Sequence, residues 1–523
     1  MKMSGFLTPA RMEIVVLGCG VLTVSMFARQ DHSLILKAVF ILTALTQYKV
    51  QDTGFGSKTS FRRLDNADLL LGNLLLPMLA ASTWTEQSGW SPPGNHQVLA
   101  LVLSTGTALS VLVGSLSGWT IGVECRFIDH LLILPAFGVQ VLSLWSEHPW
   151  GWIVTVTSVL ISVKFFCAEL LFFLPGSFTL GEVLLVSQAF AALTFLAAHS
   201  LVRGTGQLLA CLQVLVLGFV VIGLMFYPVV RCLQSRQGHP AKEHLKRFHF
   251  KMSLSFYLCL AGAVFVVLLP WLWVLLGQEP LQWGLHFVLA TRKRMVLLCL
   301  WVVMVTGAVG VVMLWGSSST IVRKYFHLVA IGIFLPGILH DVQLLHLAAS
   351  GTIFIFVILE FLRIFSVWPV GDALHNAFKL FLDGQDSGVA ILTHIYLLLG
   401  MALPVWLYEE TVGVNKSGLS LAIYSGILSL GVGDTAASVV GSLYGKHRWP
   451  GSRKTVEGTC AAVVSQILAC CLLYCLDPRL SPSTGWASIG WVVLLTSLLE
   501  AATAQIDNLV LPLFMYSLLL SLA

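Results

Sequence analysis

A chain of 523 residues of which 57% are hydrophobic and only 11% charged has too little polar surface to close a water-soluble globule, so a soluble enzyme is excluded. The net charge of +5 is modest and sits in connecting segments, which makes nucleic acid an unexpected partner. The eleven cysteines fall mostly inside apolar runs with no Cys-x-x-Cys pair, so they read as small core residues and not as a disulfide framework or a zinc site.

A helix that crosses the hydrocarbon core needs about 20 apolar residues. Segments of that kind recur from residue 13 to the C-terminus, and their number predicts an all-α, polytopic transmembrane helical bundle of about 15 to 17 spans. Strict apolar–polar alternation is missing, which argues against a β-barrel. The first apolar segment has no convincing small-residue cleavage site and is read as an uncleaved first helix. Two basic connections, at residues 49–68 and 231–251, are placed in the cytoplasm by the positive-inside rule. Counting spans forward from the second brings Arg323-Lys324-Tyr325-Phe326-His327, Asp383-Gly384-Gln385-Asp386-Ser387, Asp434 and Gln505-Ile506-Asp507-Asn508 to that same face. The same count puts Glu409-Glu410, Asp477-Pro478 and the sequon Asn415-Lys416-Ser417 opposite them. One cluster disagrees with the rule: the count places Arg292-Lys293-Arg294 lumenally, so either the apolar stretch near Leu285 is a real span that the count misses or the rule is locally broken.

Residues 372–382 are amphipathic, with Leu374, Phe378, Phe381 and Leu382 on one side and His375, Asn376 and Lys379 on the other, as a helix lying in the membrane interface would be. Asp383 and Asp386 follow it and serve either as helix-capping acids or as part of a site. His394, one turn into the next span, reads as a helix contact. The segment 431–459, GVGDTAASVVGSLYGKHRWPGSRKTVEGT, is the richest in chemistry. Asp434 ends an apolar stretch, and a carboxylate at membrane depth requires a cation. The loop after it interleaves Lys446, His447, Arg448, Arg453 and Lys454 with Gly445, Pro450, Gly451 and Gly458, giving the positive charge and close backbone approach that a polyphosphate needs. Gly433, Ala437, Gly441 and Gly445 recur every four residues as a small-residue packing stripe. Ser438 and Ser442 beside it are read as bonding back to their own helix. Towards the C-terminus, Glu500, Thr503 and Asp507 share one face of a predicted helix, where either a site or a buried ion pair with Arg323 or Lys324 accounts for them. No P-loop, dinucleotide fingerprint, HExxH, GxSxG or HRD motif is present, so the nucleotide chemistry implied by an acid beside a basic loop belongs to a membrane-embedded site.

Taken together, RKYFHL, FLDGQDSGVAILTHIYLLLGMALP, GVGDTAAS, RWPGSRKTVEGT and AQIDNLVLPL, spread over residues 323–512, closely resemble the dolichol kinases. A weaker likeness reaches phytol and farnesol kinases and phosphatidate cytidylyltransferases, and the long N-terminal half favours the first family. The resemblance implies a catalytic membrane domain at residues 321–523 and an N-terminal multi-span region of unassigned role at 1–320. It implies a CTP-binding segment at Ser442, Gly445, Lys446, Arg448, Trp449, Gly451, Arg453, Lys454, Thr455 and Glu457. It also implies transfer of the γ-phosphoryl group of CTP to the hydroxyl of a dolichol or polyprenol lipid, at the cytosolic face of the endoplasmic reticulum membrane, in support of protein N-glycosylation. In that reading Asp434, with Asp507, holds Mg²⁺ or another divalent cation. Lys454, Arg453 and Lys446 neutralise phosphates, Asp386 or Asp434 accepts the hydroxyl proton, and the lipid tail lies against the small-residue face near Gly433. A cytidylyltransferase acting on a lipid phosphate is the nearest alternative, and a transporter a more distant one.

Overall fold

The computed structural model describes residues 9–28, 30–52, 69–82, 150–203, 206–235, 242–315, 320–378, 388–411, 419–481, 484–503 and 506–522. Among them the secondary structure is helical, with two isolated bridges, Leu419 to Leu480 and Arg448 to Thr455. In chain order the helices are α1 (Pro9–Phe27), α2 (Gln30–Asp52), α3 (Leu69–Ser82), α4 (Trp150–Phe173), α5 (Leu180–Arg203), α6 (Gln207–Ser235), α7 (Lys242–Gly262), α8 (Leu269–Leu276), α9 (Pro280–Leu289), α10 (Arg292–Trp315), α11 (Thr320–His340), α12 (Val342–Ile364), α13 (Gly371–Phe378), α14 (Thr393–Thr411), α15 (Thr435–Tyr444), α16 (Val456–Leu476), α17 (Trp486–Ala502) and α18 (Asp507–Ser521). Two π-helical stretches interrupt the pattern, Ala263–Leu268 between α7 and α8 and Ile427–Asp434 ahead of α15. Among the described residues, five segments are long and apolar enough to cross a membrane: Phe250–Leu276, Arg292–Val311, Val342–Ile364, Ile427–Tyr444 and Val456–Leu476. Seven shorter apolar helices accompany them. The chain is an all-α polytopic membrane protein.

Its residues group into two compact units, one built from Met1–Ala192 with Tyr396–Ala523 and the other from Leu193–Ile395. Residues 1–192 thus group with the C-terminal helices, and residues 193–320 with residues 321–395.

In the first unit, close approaches at glycine set the geometry. Gly20 of α1 lies against the Phe514 ring of α18, and the indole of Trp491 in α17 donates to Thr23 Oγ1 at 3.2 Å. Gly72 of α3 meets the backbone of Gly181 at the start of α5, where Thr179 and Glu182 cap each other's backbone N–H groups. Gly400 of α14 is the crossing point that matters most for function, because its missing side chain admits the Asn508 backbone and the Leu430 side chain of the π-helix, while Gly426 in turn lies against the Gly400 backbone. The π-helix carrying Asp434 and the first turn of α18 carrying Asp507 therefore converge across one glycine.

In the second unit, Phe226, Phe256 and Phe365 form edge-on pairs at 5.1 to 5.3 Å, with Leu374 of α13 packed on the same cluster. A buried ion pair, Arg363 to Glu360 at 2.6 Å, fastens the chain entering α14: Glu360 accepts the Ile391 N–H at 2.6 Å and Arg363 donates to the Val389 carbonyl at 2.6 Å. This unit also bears on the stretch that precedes Arg292-Lys293-Arg294. Helix α9 has 10 residues and rises only about 15 Å, half of a hydrocarbon core, so the stretch near Leu285 is not a span. Arg294 is neutralised by Asp341 at 2.7 Å, the residue that caps α12, and its guanidinium stacks 3.8 Å over Phe287.

Candidate active site

The basic loop is a small framework built by its own sequence. Trp449-Pro450-Gly451-Ser452 closes a turn in which Ser452 N–H donates to the Trp449 carbonyl at 3.1 Å. Proline suits its second position, and Gly451, with φ of 74°, supplies the left-handed third. The strands leaving that turn pair through Trp449 N–H to Lys454 O at 3.0 Å and Val456 N–H to His447 O at 2.8 Å. Thr455 then caps α16, its hydroxyl oxygen accepting from Gly458 N–H at 3.2 Å. Glu457 reaches back to His447, accepting its N–H at 3.1 Å and lying 2.6 Å from Nδ1. The Trp449 indole donates to Thr459 Oγ1 at 3.0 Å.

Residues expected in one nucleotide segment thus divide by role. Gly445, Trp449, Gly451, Thr455 and Glu457 shape the loop. Ser442 donates to the Val439 carbonyl at 2.9 Å within its own helix. Lys446, Arg448 and Arg453 are exposed, and their side chains carry no ion pair among the described residues. Three uncommitted cations on a rigid loop fit a polyphosphate.

Lys454 is different. Its ammonium turns inward, lying 2.8 Å from Glu500 Oε1 and 3.4 Å from Asp507 Oδ2 and bonding to the Glu500 carbonyl. Burial pulls its proton affinity down, but the charges of Glu500 and Asp507 outweigh burial and hold it above the usual lysine range. Among the described residues the ion-pair partner of Glu500 is therefore Lys454; the Arg323 side chain lies outside the described residues. One carboxylate oxygen from each of Asp434, Glu500 and Asp507 lies within 4.8 Å of the others. Asp434 and Glu500 are buried and Asp507 is half-buried. Three hard oxygen donors against one ammonium are a donor set that suits Mg²⁺.

Two expectations change here. Glu500 and Asp507 do not share one helix: α17 stops at Ala502, Thr503 is extended, and α18 begins at Asp507. The break turns Asp507 back towards Glu500. The small-residue stripe is also occupied, because the Gly441 and Gly445 positions face Thr455, Gly433 faces Gln466, and Gly458 sits against the Ala437 carbonyl. Helix α16 fills that face, so the lipid tail does not lie there. Asp383 and Asp386 lie outside the described residues, as does the sequon at 415–417. His394 is held between Phe356 and Phe378, with ring centroids at 5.3 and 5.0 Å.

A family model described as dolichol kinase matches residues 46–449. The chain belongs to the dolichol kinase family. Among curated members of that family it is 34% identical over 481 residues to the human dolichol kinase, covering 88% of this chain and 87% of the relative. It is 35% identical over 320 residues to the Arabidopsis thaliana dolichol kinase EVAN, covering 59% and 55%, and 28% identical over 277 residues to the Saccharomyces cerevisiae dolichol kinase, covering 52% and 50%. No solved structure matches this chain. The family model ends within the basic loop, so Lys454, Glu500 and Asp507 lie beyond its matched residues and join the site through geometry. Glu500 was recognisable as a membrane acid, but its place beside Asp434 was not.

Proposed function

We propose that this chain transfers the γ-phosphoryl group of CTP to the terminal hydroxyl of dolichol, giving dolichyl phosphate and CDP, at the cytosolic face of the endoplasmic reticulum membrane. The product is then the lipid carrier for N-glycosylation. The observation that carries the reading is Lys454, which joins a loop of free cations to a cluster of three carboxylates at the end of apolar helices. Family membership supplies the lipid alcohol.

Phosphoryl transfer asks a protein mainly for positioning and charge neutralisation. Lys446, Arg448 and Arg453 bind the phosphates of the nucleotide, and the turn at Pro450-Gly451 keeps their backbone in place. Asp434, Glu500 and Asp507 would hold a divalent cation, Mg²⁺ by their chemistry. When bound, it neutralises charge on the transferring phosphoryl group. Lys454 balances the carboxylates. A carboxylate, Asp434 or Asp386, accepts the dolichol hydroxyl proton as the new O–P bond forms and the bond to the β-phosphate oxygen breaks.

Purified protein incubated with dolichol and CTP labelled at either the γ- or the α-phosphorus tests this. Label from the γ position alone is expected in the lipid. Transfer of α-label with release of pyrophosphate would replace the kinase reading with a cytidylyltransferase.

A further inference from the structure

The N-terminal helix reaches the site at two heights. Pro9, its first residue, abuts Gly451 at the tip of the basic loop, where an added Cβ would lie 3.0 Å from the proline ring. One turn further on, Glu13 is 8% exposed, and its Oε1 accepts the hydroxyl of Thr503 at 3.4 Å across 490 residues of sequence. Thr503 is itself 5% exposed and is the extended residue at which α17 ends, with φ of −76° and ψ of 139°. It stands three residues after Glu500 and four before Asp507. The Trp491 to Thr23 hydrogen bond and the Gly20 to Phe514 contact fix how far α1 can slide along α17 and α18. The height of Glu13 at the break is therefore set.

A buried carboxylate is a costly way to make a helix contact, because an apolar residue would pack there without a desolvation penalty. Its cost is explained by where it acts. The break between α17 and α18 decides the angle at which Asp507 meets Glu500 and Asp434, and the Thr503 side chain is the handle on that break.

We infer that Glu13 is a positioning residue: by holding Thr503, the N-terminal helix sets the separation of the Glu500 and Asp507 carboxylates and so the cation affinity of the cluster. The inference rests on the reading that this cluster takes a divalent cation. It gives α1, which lies outside the family-model match, a task in the site.

The test uses Mn²⁺ as the probe, titrated into the full-length detergent-solubilised protein and followed by electron paramagnetic resonance, without CTP or dolichol. Glu13→Leu is expected to weaken Mn²⁺ binding about 10- to 100-fold, the usual effect of removing a group that orients a ligand from behind. Thr503→Val should do the same. Glu13→Gln keeps an acceptor for Thr503 and is expected to stay within about threefold of the wild type on the same grounds. In turnover assays the loss should appear in the Mg²⁺ concentration for half-activation, with the KM for dolichol unchanged. Wild-type protein that binds no Mn²⁺ would overturn the cation reading and this inference together. Wild-type binding with Glu13→Leu and Thr503→Val unaltered would overturn the inference alone. If Glu13→Leu fails to fold, Glu13→Gln and Thr503→Val decide it: a threonine variant with native affinity, or a glutamine variant as weak as that threonine variant, overturns it.

Discussion

The two ends of α16 carry similar side chains in different proportions. At its C-terminal end Asp477, 2% exposed, receives Arg479 at 2.8 and 2.9 Å, the Tyr424 hydroxyl at 2.7 Å and the Arg479 N–H at 3.1 Å. The chain is tied off beside it by Leu419 N–H to Arg479 O at 2.7 Å and Ser481 N–H to Leu419 O at 2.9 Å. One carboxylate meets one guanidinium, and its oxygens are fully served. At the N-terminal end, about 30 Å away by helix rise, three carboxylates gather around Lys454, which pairs with two of them. A balanced buried pair closes a corner. Among the described residues the cluster gathers more carboxylates than ammonium groups, and the two ends differ by that ratio more than by burial.

The comparison is broken most severely at Asp434. Asp434→Asn removes a negative charge with little change of shape and is expected to lower kcat by about 10²- to 10³-fold or more, while the purified protein keeps its elution profile and melting temperature. Native turnover by that variant would remove Asp434 from the site. Lys454→Ala comes next. It leaves Glu500 and Asp507 without their cation, so both stability and CTP use are expected to suffer, with kcat/KM for CTP down by about 2 to 4 kcal/mol equivalent and a lower melting temperature. Loss of stability with unchanged kinetics in the folded fraction would reduce Lys454 to a structural partner.

How far the sequence foretold this site follows from the range of each signal. The membrane class was legible because apolar density is a bulk property. Asp434 was legible because an acid ending an apolar helix is conspicuous, and the Trp-Pro-Gly-Ser turn because its residues name their own conformation. The partner of Glu500 was not legible: a loop with five basic or histidine side chains does not say which one turns inward until α16 and α17 are placed. The break at Thr503 was hidden too, since Ala501-Ala502-Thr503-Ala504-Gln505-Ile506 contains neither glycine nor proline to mark a helix end. The contact of Glu13 with Thr503 joins opposite ends of the chain, beyond the reach of any local pattern.

A subtler contrast lies within the loop. Arg448 and Arg453 are exposed and uncommitted, unlike Lys454, so replacing either with alanine is expected to leave the melting temperature unchanged. Each loses a charge-assisted phosphate contact worth about 1.5 to 3 kcal/mol, read as a raised KM for CTP with the KM for dolichol unaffected. Equal effects on both substrates would mean that the loop binds a lipid headgroup instead of the nucleotide.

The smallest effect tests the balanced end. Burial pushes the Asp477 carboxyl up, but the hydrogen bonds from Arg479 and Tyr424 outweigh burial and hold it below the usual carboxylate range. A group whose folded-state pKa is depressed contributes stability that is complete above its unfolded value, about 3.9 for aspartate, and is lost as pH falls through the folded value. Asp477→Asn is therefore expected to lower stability by about 1 to 3 kcal/mol at neutral pH without changing kcat in the folded fraction, because this end of α16 lies far from the carboxylate cluster. Below about pH 4 the gap between wild type and variant should narrow, since the wild type loses the contribution that the variant already lacks. Thermal melts of both proteins from pH 7 down to pH 3 measure this. A gap that stays constant across that range would mean that Asp477 stabilises the corner through shape and not through its charge, and a fall in kcat would mean that the two ends of α16 are coupled.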